Sequence, residues 1–219
     1  MNILAIIGIT GGILCAIADL VLDLKGADNK KLSSIIESNW IKMSQWRFTL
    51  SIILAMVAVP MYTCGFWALM NKVSETHNTL SVVMKVIFLC GAMGGFMIHS
   101  FICVMPTVYC DIINHDGTKE ESKFDLAKKL TDDIFSKIFI PFTFLYILLV
   151  IVPAIVVVAM IIMGILPLSI WTVLLNPVVF QIIGLLLKGT KIKAFIDAPS
   201  CCAASLGLAC YGALALMLA

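Results

Sequence analysis

Six long apolar runs dominate this chain, and they constrain its fold more than any other feature. The runs cover residues 3–24, 46–70, 80–113, 138–164, 166–187 and 199–218. Most reach the roughly 20 residues that an α-helix needs to cross the ~30 Å hydrocarbon core of a bilayer. A membrane β-barrel would instead show alternating segments of about ten residues, which the sequence lacks. The runs predict an all-α, polytopic membrane protein, with a single domain of six transmembrane helices spanning residues 1–219.

The basic residues between these runs are distributed unevenly. Apart from Lys72 and Lys85, every Lys and Arg lies between runs one and two, three and four, or five and six. Loops rich in Lys and Arg are normally cytoplasmic. This distribution predicts that both termini lie outside. The compact size and short loops favour a location in the cell membrane, which we expect to be a bacterial inner membrane.

The two longer cytoplasmic segments carry signals for helix starts. Ser34-x-x-Glu37 and Thr118-x-x-Glu121 both have the spacing of a capping box. Apolar residues follow each of them, which suits an amphipathic helix lying at the lipid surface. The sequence therefore predicts short amphipathic helices in these loops, the second of which would either lie on the membrane or extend the fourth spanning helix.

The sequence shows no motif for binding a metal ion, a cofactor or a nucleic acid. The eight cysteines all lie within predicted helices and form no CxxC pair, so neither disulfides nor structural zinc are expected. Asp19-x-x-x-Asp23 resembles only the end of the acidic motif of phospholipid synthases that use CDP-linked donors. The rest of that motif is missing, so we expect no metal site. We also expect no cofactor, because no haem, flavin or nicotinamide motif is visible, and no nucleic acid, because the net charge is only +2.

One face of the first helix carries small and acidic residues, namely Gly8, Gly12, Cys15, Asp19 and Asp23. Its GxxxG part would let a second helix approach closely, as in a homodimer or a complex with a partner membrane protein. Asp19 lies about 9 Å inward of the helix centre, and its short side chain does not easily reach water. An acid at that depth costs about 2.5–3.5 kcal/mol, so it needs a partner or a function. We interpret Asp19 as a catalytic residue and Asp23 as a ligand-binding residue; a structural hydrogen-bonding role for Asp19 is the alternative.

The third helix carries the one histidine that falls within a predicted span, His99, close to the middle of the helix. Asp19 would orient its ring and support its protonated form, so we interpret His99 as a second catalytic residue that acts as a general acid and base. The alternative is a histidine that only fills the core. Later in the same helix, three more residues are predicted to bind ligand or to line the mouth of a pocket: Cys103, Tyr109 and Asp111.

Helices four to six supply the other predicted pocket residues. Pro177 follows Asn176 near the centre of the fifth run and removes a backbone donor there. Backbone groups freed within a span must find other partners, and binding sites often form in this way. The ligand-binding residues predicted from these three helices are Tyr146, Trp171, Thr172, Asn176 and Ser205.

Three functions are compatible with these features. The first is an intramembrane pocket, open toward the cytoplasmic leaflet, that binds or transforms a lipid-like small molecule by acid–base chemistry of the isomerase or hydrolase kind. The second is a membrane scaffold or accessory subunit with no chemistry of its own. The third is a proton- or cation-coupled carrier of small solutes. We favour the first, with membrane lipids and a hydrophobic small molecule as the expected partners.

Overall fold

The computed structural model describes residues 2–115, 120–192, 195 and 198–219, and it contains no β-strand within them. The predicted all-α class is confirmed. Seven α-helices follow in order: α1 Ile3–Asp23, α2 Trp46–Ser74, α3 Asn78–Asn114, α4 Glu120–Tyr146, α5 Val152–Ile162, α6 Pro177–Gly189 and α7 Ala198–Met217. Short 3-10 turns lie at Trp40–Lys42 and Ile170–Leu174, and a π-helical segment at Ile147–Ile151 joins α4 to α5.

Within the described residues, four helices are long and apolar enough to cross a membrane: Ile3–Asp23, Trp46–Ser74, Asn78–Asn114 and the continuous Ser122–Ile162. Large apolar side chains cover much of the outer surface of these helices, including Ile53, Met93, Phe101 and Ile140. A surface of this kind is costly in water and suits a lipid environment. α6 and α7 are apolar but shorter.

The helix predicted at the second basic segment extends the following span. Residues 120–138 run without interruption into the fourth apolar run, which was one of the two predicted outcomes. The predicted cap at Thr118 lies outside the described residues. The π-helical segment arises beside Pro153, which has no N–H to donate, and Val152 N–H bonds to Ile147 O five residues earlier. Such wide turns are frequent at functional sites, and this one faces the centre of the bundle.

The predicted helix in the first basic segment is not formed. Ser33 Oγ accepts from Ile36 N–H at 3.1 Å, and Lys31 pairs with Glu37 in an isolated bridge. These side-chain and turn bonds hold the segment in a tight loop, so that only the 3-10 turn at Trp40–Lys42 is helical. Trp40 is buried beneath the loop, which therefore covers this end of the bundle.

The fifth predicted span is wrong as a continuous helix. The chain leaves α5 at Gly164, whose φ is +73°, and forms only the 3-10 turn before α6 begins at Pro177. Asn176 Oδ1 accepts from the backbone N–H groups of Val178 and Val179 at 2.9 and 3.1 Å, which starts a new helix in place of continuing an old one. α6 is therefore a half-length helix of about 20 Å.

Glycines let α1, α2 and α7 pack with their backbones in contact. A Cβ on Gly8 would lie 2.1 Å from Gly65 Cα, and one on Gly12 would lie 2.5 Å from Ala209 N. One on Gly212 would lie 2.4 Å from Ala5 O, so α7 runs antiparallel to α1. The predicted GxxxG face is thus used within the chain, and a partner helix could dock on it only by displacing α2 or α7.

Candidate functional site

A cavity of about 350 Å³ lies at the centre of the bundle, among α1, α2, α3, α7, α6 and the junction of α4 with the π-helical segment. Its volume falls in the range of small-molecule pockets, ~300–1,000 Å³. Apolar side chains form most of its wall, including Phe96, Leu145, Leu149 and Leu208. Its acidic residues and its histidine lie on α1 and α3, and further polar side chains line it from other helices: Tyr62, Tyr146, Gln181 and Ser205.

The structure brings Asp19 and His99 together on the wall of this cavity. His99 Nδ1 lies 3.6 Å from Asp19 Oδ1, which is within ion-pair range but longer than a hydrogen bond. The Asp19 side chain is 18% exposed and the His99 side chain is 16% exposed, although both residues lie well inside the bundle. Because both line the cavity, that exposed surface is open to a ligand.

Ser51 of α2 fixes the other side of the imidazole ring. Its Oγ lies 2.8 Å from His99 Nε2 and donates to Ala18 O at 2.8 Å. Cys103 Sγ donates to the same oxygen at 3.6 Å. The sequence analysis missed Ser51, because a single serine in an apolar helix breaks no pattern and has no charge.

These contacts favour one arrangement of the protons. A carbonyl can only accept, so when the one hydroxyl proton of Ser51 goes to Ala18 O, His99 donates to Ser51 from Nε2. In that tautomer a neutral ring would present the lone pair of Nδ1 to Asp19 Oδ1, and an ionised carboxylate would repel it. The arrangement therefore favours one proton shared by the two groups, on His99 Nδ1 or on the Asp19 carboxyl. We call this pair the proton-sharing couple.

The connectivity Ser51–His99–Asp19 matches that of a hydrolytic triad, but the roles do not fit one. A nucleophilic serine must give its proton to the histidine and must reach the substrate. Ser51 is fully buried, is absent from the cavity wall and has its proton bonded to a carbonyl. Ser51 therefore orients the ring, and the groups that face the cavity are Asp19 and His99.

Two further predicted residues stand beside this couple. Ser205 Oγ donates to Asp19 Oδ2 at 2.6 Å and lines the cavity from α7. Tyr146 lines it at the end of α4. Cys103 approaches the site only from behind, through Ser51.

Asp23 lies between the cavity and the inner end of the bundle, meaning the end at which α1 ends. Asp23 also lines a smaller cavity of about 200 Å³ beneath the first, together with Leu22 and Ile102, which line both. Lys25 Nζ lies 2.7 Å from Asp23 Oδ1 and 3.5 Å from Glu37 Oε1. Burial opposes the charge on Lys25, but the two carboxylates outweigh it and raise the pKa of Lys25. A charged cluster thus lies at the inner side of the cavity.

The structure places the remaining predicted site residues elsewhere. Tyr109 packs edge-on against Trp40 with ring centroids 5.9 Å apart, and Asp111 is exposed at the surface. Trp171 is 54% exposed, whereas Thr172 is buried and donates to Ser169 O at 2.7 Å. The Asn176 side chain caps α6 by accepting from Val178 N–H, and it donates to Val173 O. None of these five lines the central cavity.

The donor set of the site suits proton exchange more than metal binding. Within the described ranges, no three His, Cys, Asp or Glu side chains are grouped so that they could hold a metal ion. The Asp19–His99 couple supplies one carboxyl and one imidazole, and its remaining neighbours Ser51 and Ser205 are hydroxyl groups. This arrangement can take up or give a proton to a molecule in the cavity.

The chain belongs to a family that is described as a family of unknown function (DUF6796), whose model matches residues 1–219. No curated protein and no solved structure matches the chain. The function must therefore be argued from the site itself.

Proposed function

We propose that this protein binds a lipid-like small molecule in its central cavity and transforms it by acid–base chemistry, with the Asp19–His99 couple as the proton-exchanging group. One observation carries the proposal: the couple, with its nitrogen and oxygen 3.6 Å apart, is exposed on the wall of a cavity of about 350 Å³ that is otherwise mostly apolar. A couple that served only to hold helices together would be packed solidly.

The lining of the cavity supports an apolar ligand. Among the described residues that line it there is no Lys or Arg to serve as a counter-charge for a strongly anionic molecule. The carboxyl and imidazole groups lie on α1 and α3, and the side chains of the π-helical segment that line the cavity are apolar. A molecule with a long apolar part and one weakly polar group suits this division.

The chemistry follows from the shared proton. Asp19 accepts a proton from the ligand or gives one to it, while His99 supports either charge state of the carboxyl from Nδ1. Ser51 holds the ring in place through Nε2, so that the couple does not reorganise during transfer. Acid–base catalysis by a positioned pair of this kind contributes ~100- to 10,000-fold to a rate. Isomerisation and hydrolysis are both within its reach.

The proposal includes a location in the cell membrane, with six crossings and both termini outside, in a bacterial inner membrane. Support for the fifth crossing comes from α6, which begins beside Gly207 at the middle of α7: a Cβ on that glycine would lie 2.1 Å from Pro177 Cα. Residues 163–176 then lead from the outer end of α5 to this depth. The ligand would enter from the inner leaflet, past Asp23 and its ion pair with Lys25.

One observation favours a second candidate function, a proton-coupled carrier. Interrupted helices that begin at mid-membrane are typical of solute sites in transporters, and α6 begins in this way at Asn176-Pro177. The Asp19–His99 couple would then carry the proton. A carrier would move solute into proteoliposomes, and Asp19→Asn would abolish that movement.

Photo-crosslinking tests whether the cavity is occupied by lipid-like molecules. A long-chain alcohol with a diazirine at its chain end is mixed with the protein in bilayers and irradiated. We expect adducts on Leu149 and Leu208, which are buried from the bilayer but line the cavity, as well as on outward-facing Phe101 and Ile182. Adducts confined to the outward-facing residues would contradict the proposal.

Cavity-filling variants supply the control for this experiment. Ala204→Phe introduces a large side chain on the cavity wall. Gly95→Leu does the same from α3, where a Cβ has no neighbour closer than 3.4 Å. Both variants should lose the inner adducts and keep the outer ones. Inner adducts that persist in both would show that the probe labels these positions by another route.

A further inference from the structure

Tyr62 of α2 carries a hydroxyl group that the packing of the protein does not explain. Its side chain is 2% exposed and lines the central cavity. No hydrogen bond joins its phenolic oxygen to any residue in the part of the chain that the structure describes. Its ring packs edge-on against Phe88 with centroids 6.0 Å apart, a contact that phenylalanine would make equally well. The side chain is thus buried on the wall of the cavity, and its hydroxyl group has no acceptor among the described residues.

The hydroxyl group of Tyr62 faces the same region of the cavity as the proton-sharing couple. A Cβ built on Gly95 of α3 would lie 3.9 Å from the Tyr62 oxygen. Gly95 stands one helical turn before His99, and side chains in a helix lean toward its N-terminus. The His99 ring therefore leans toward the turn of α3 that the hydroxyl group approaches.

We propose that Tyr62 donates a hydrogen bond to the carbonyl oxygen of the ligand, and that the ligand is an apolar ketone or ester. This inference rests on the proposed function and adds the class of molecule. A carbonyl oxygen can only accept, which matches a donor without an acceptor beside it. A phosphate or carboxylate would require a cation, and no Lys or Arg in the described part of the chain lines the cavity.

The pairing of a hydroxyl donor with a proton-sharing couple defines a reaction that needs no further reactant. Asp19, as carboxylate, accepts a proton from the carbon next to the carbonyl. The electrons of that C–H bond form a C=C bond, and the C=O π electrons move to the oxygen. Tyr62 holds the resulting oxyanion, as a preorganised donor does in enzymes that form enolates. In a saturated ketone the proton returns to the same carbon, and the site exchanges it. In a ligand whose next two carbons are joined by a C=C bond, return of the proton to the far carbon of the conjugated enolate shifts that double bond, restores the carbonyl and completes an isomerisation.

Binding of two probes of equal chain length tests this assignment. Radiolabelled methyl nonyl ketone and undecane differ only by the carbonyl group, and both are small enough for the cavity. Equilibrium binding is measured in detergent, with the Ala204→Phe protein as the blank for partition into micelles. We expect Tyr62→Phe to weaken ketone binding about tenfold and to leave undecane binding unchanged.

Tyr211→Phe is the matched control. Tyr211 is also a fully buried tyrosine without a hydrogen-bond partner among the described residues, but it does not line the central cavity. Its replacement should leave the binding of both probes unchanged and should not lower thermal stability. Equal ketone binding by wild type and Tyr62→Phe, with undecane bound by both, would overturn the carbonyl assignment alone. Binding of neither probe to the wild type would overturn the assignment and the lipid pocket together.

Discussion

Gly8→Ala is expected to lower the stability of the protein by about 3 kcal/mol, at the upper end of what overpacking costs. The reason is that the atoms nearest to the added methyl group belong to the backbone of α2, so no side chain can move aside to make room for it. A Cβ on Gly8 would lie 2.1 Å from Gly65 Cα and 2.4 Å from Gly65 N, so the backbones of α1 and α2 would have to separate. Thermal unfolding in detergent, followed by circular dichroism, should show a Tm lower by ~6–12 °C.

Gly189→Ala is the matched control for this prediction. Gly189 is the last residue of α6, and a Cβ there would meet nothing within 4 Å. Alanine should leave the Tm unchanged or raise it slightly, because glycine is the weaker helix former. Equal Tm values for Gly8→Ala and the wild type would contradict the direct contact of α1 with α2.

Asp19→Asn is expected to reduce proton exchange in the cavity by ~100- to 10,000-fold. Asparagine keeps the size of the side chain but can neither accept nor release a proton at neutral pH. The measurement is the incorporation of deuterium from heavy water into the carbons beside the carbonyl of methyl nonyl ketone, followed by mass spectrometry. His99→Gln should reduce exchange in the same way, because the couple then loses its second member.

Asp23→Asn provides the comparison, since it makes the same chemical change one helical turn away. Asp23 lines the cavity, but its side chain is held by an ion pair with Lys25 at 2.7 Å and is not part of the Asp19–His99 pair. Its replacement should alter exchange only a few-fold. Equal losses in the two variants, or no loss in Asp19→Asn, would remove the acid–base role that we assign to Asp19.

The centre of the site could be predicted from the sequence because membrane depth leaves few choices. An acid with a short side chain cannot reach water from the middle of a span, so Asp19 had to face the bundle. His99 lies on a stripe of small residues of α3, and such stripes mark the inward face of a helix. Their juxtaposition at 3.6 Å follows from these two constraints.

Ser51 and Tyr62 could not be found in this way, because their importance depends on what stands opposite them. A serine in an apolar helix commonly bonds to its own helix, and only the approach of α1 and α3 gives Ser51 its partners. From the sequence alone, a tyrosine within a span is interpreted as a packing residue or as a residue at the membrane interface. Only the structure shows whether its hydroxyl group has a hydrogen-bond partner. The roles of Ser51 and Tyr62 therefore depend on residues of other helices, and the sequence around each of them does not reveal these contacts.

The differences at Tyr109 and in the fifth run share another cause. Tyr109 was predicted to bind ligand or line the mouth of a pocket, and the first loop folds back and buries it against Trp40. In the fifth run, Asn176 and Pro177 were predicted to free backbone groups within one span. The Asn176 side chain caps the backbone so well that a new helix starts there. In the fifth run a side-chain cap ended the continuous helix that the apolar pattern predicted. At Tyr109 the loop that carries Trp40 covered a side chain that the sequence analysis placed at a pocket.

The most direct test of the account is to locate the proton on His99 by nitrogen NMR of isotope-labelled histidine. The chain has three histidines, so His99→Gln assigns the signal without ambiguity. We predict that Nε2 carries a proton bonded to Ser51, and that the Nδ1 signal shifts markedly in Asp19→Asn. An unprotonated Nε2, or an Nδ1 signal that is identical in wild type and Asp19→Asn, would contradict the proton-sharing couple on which the proposed function depends.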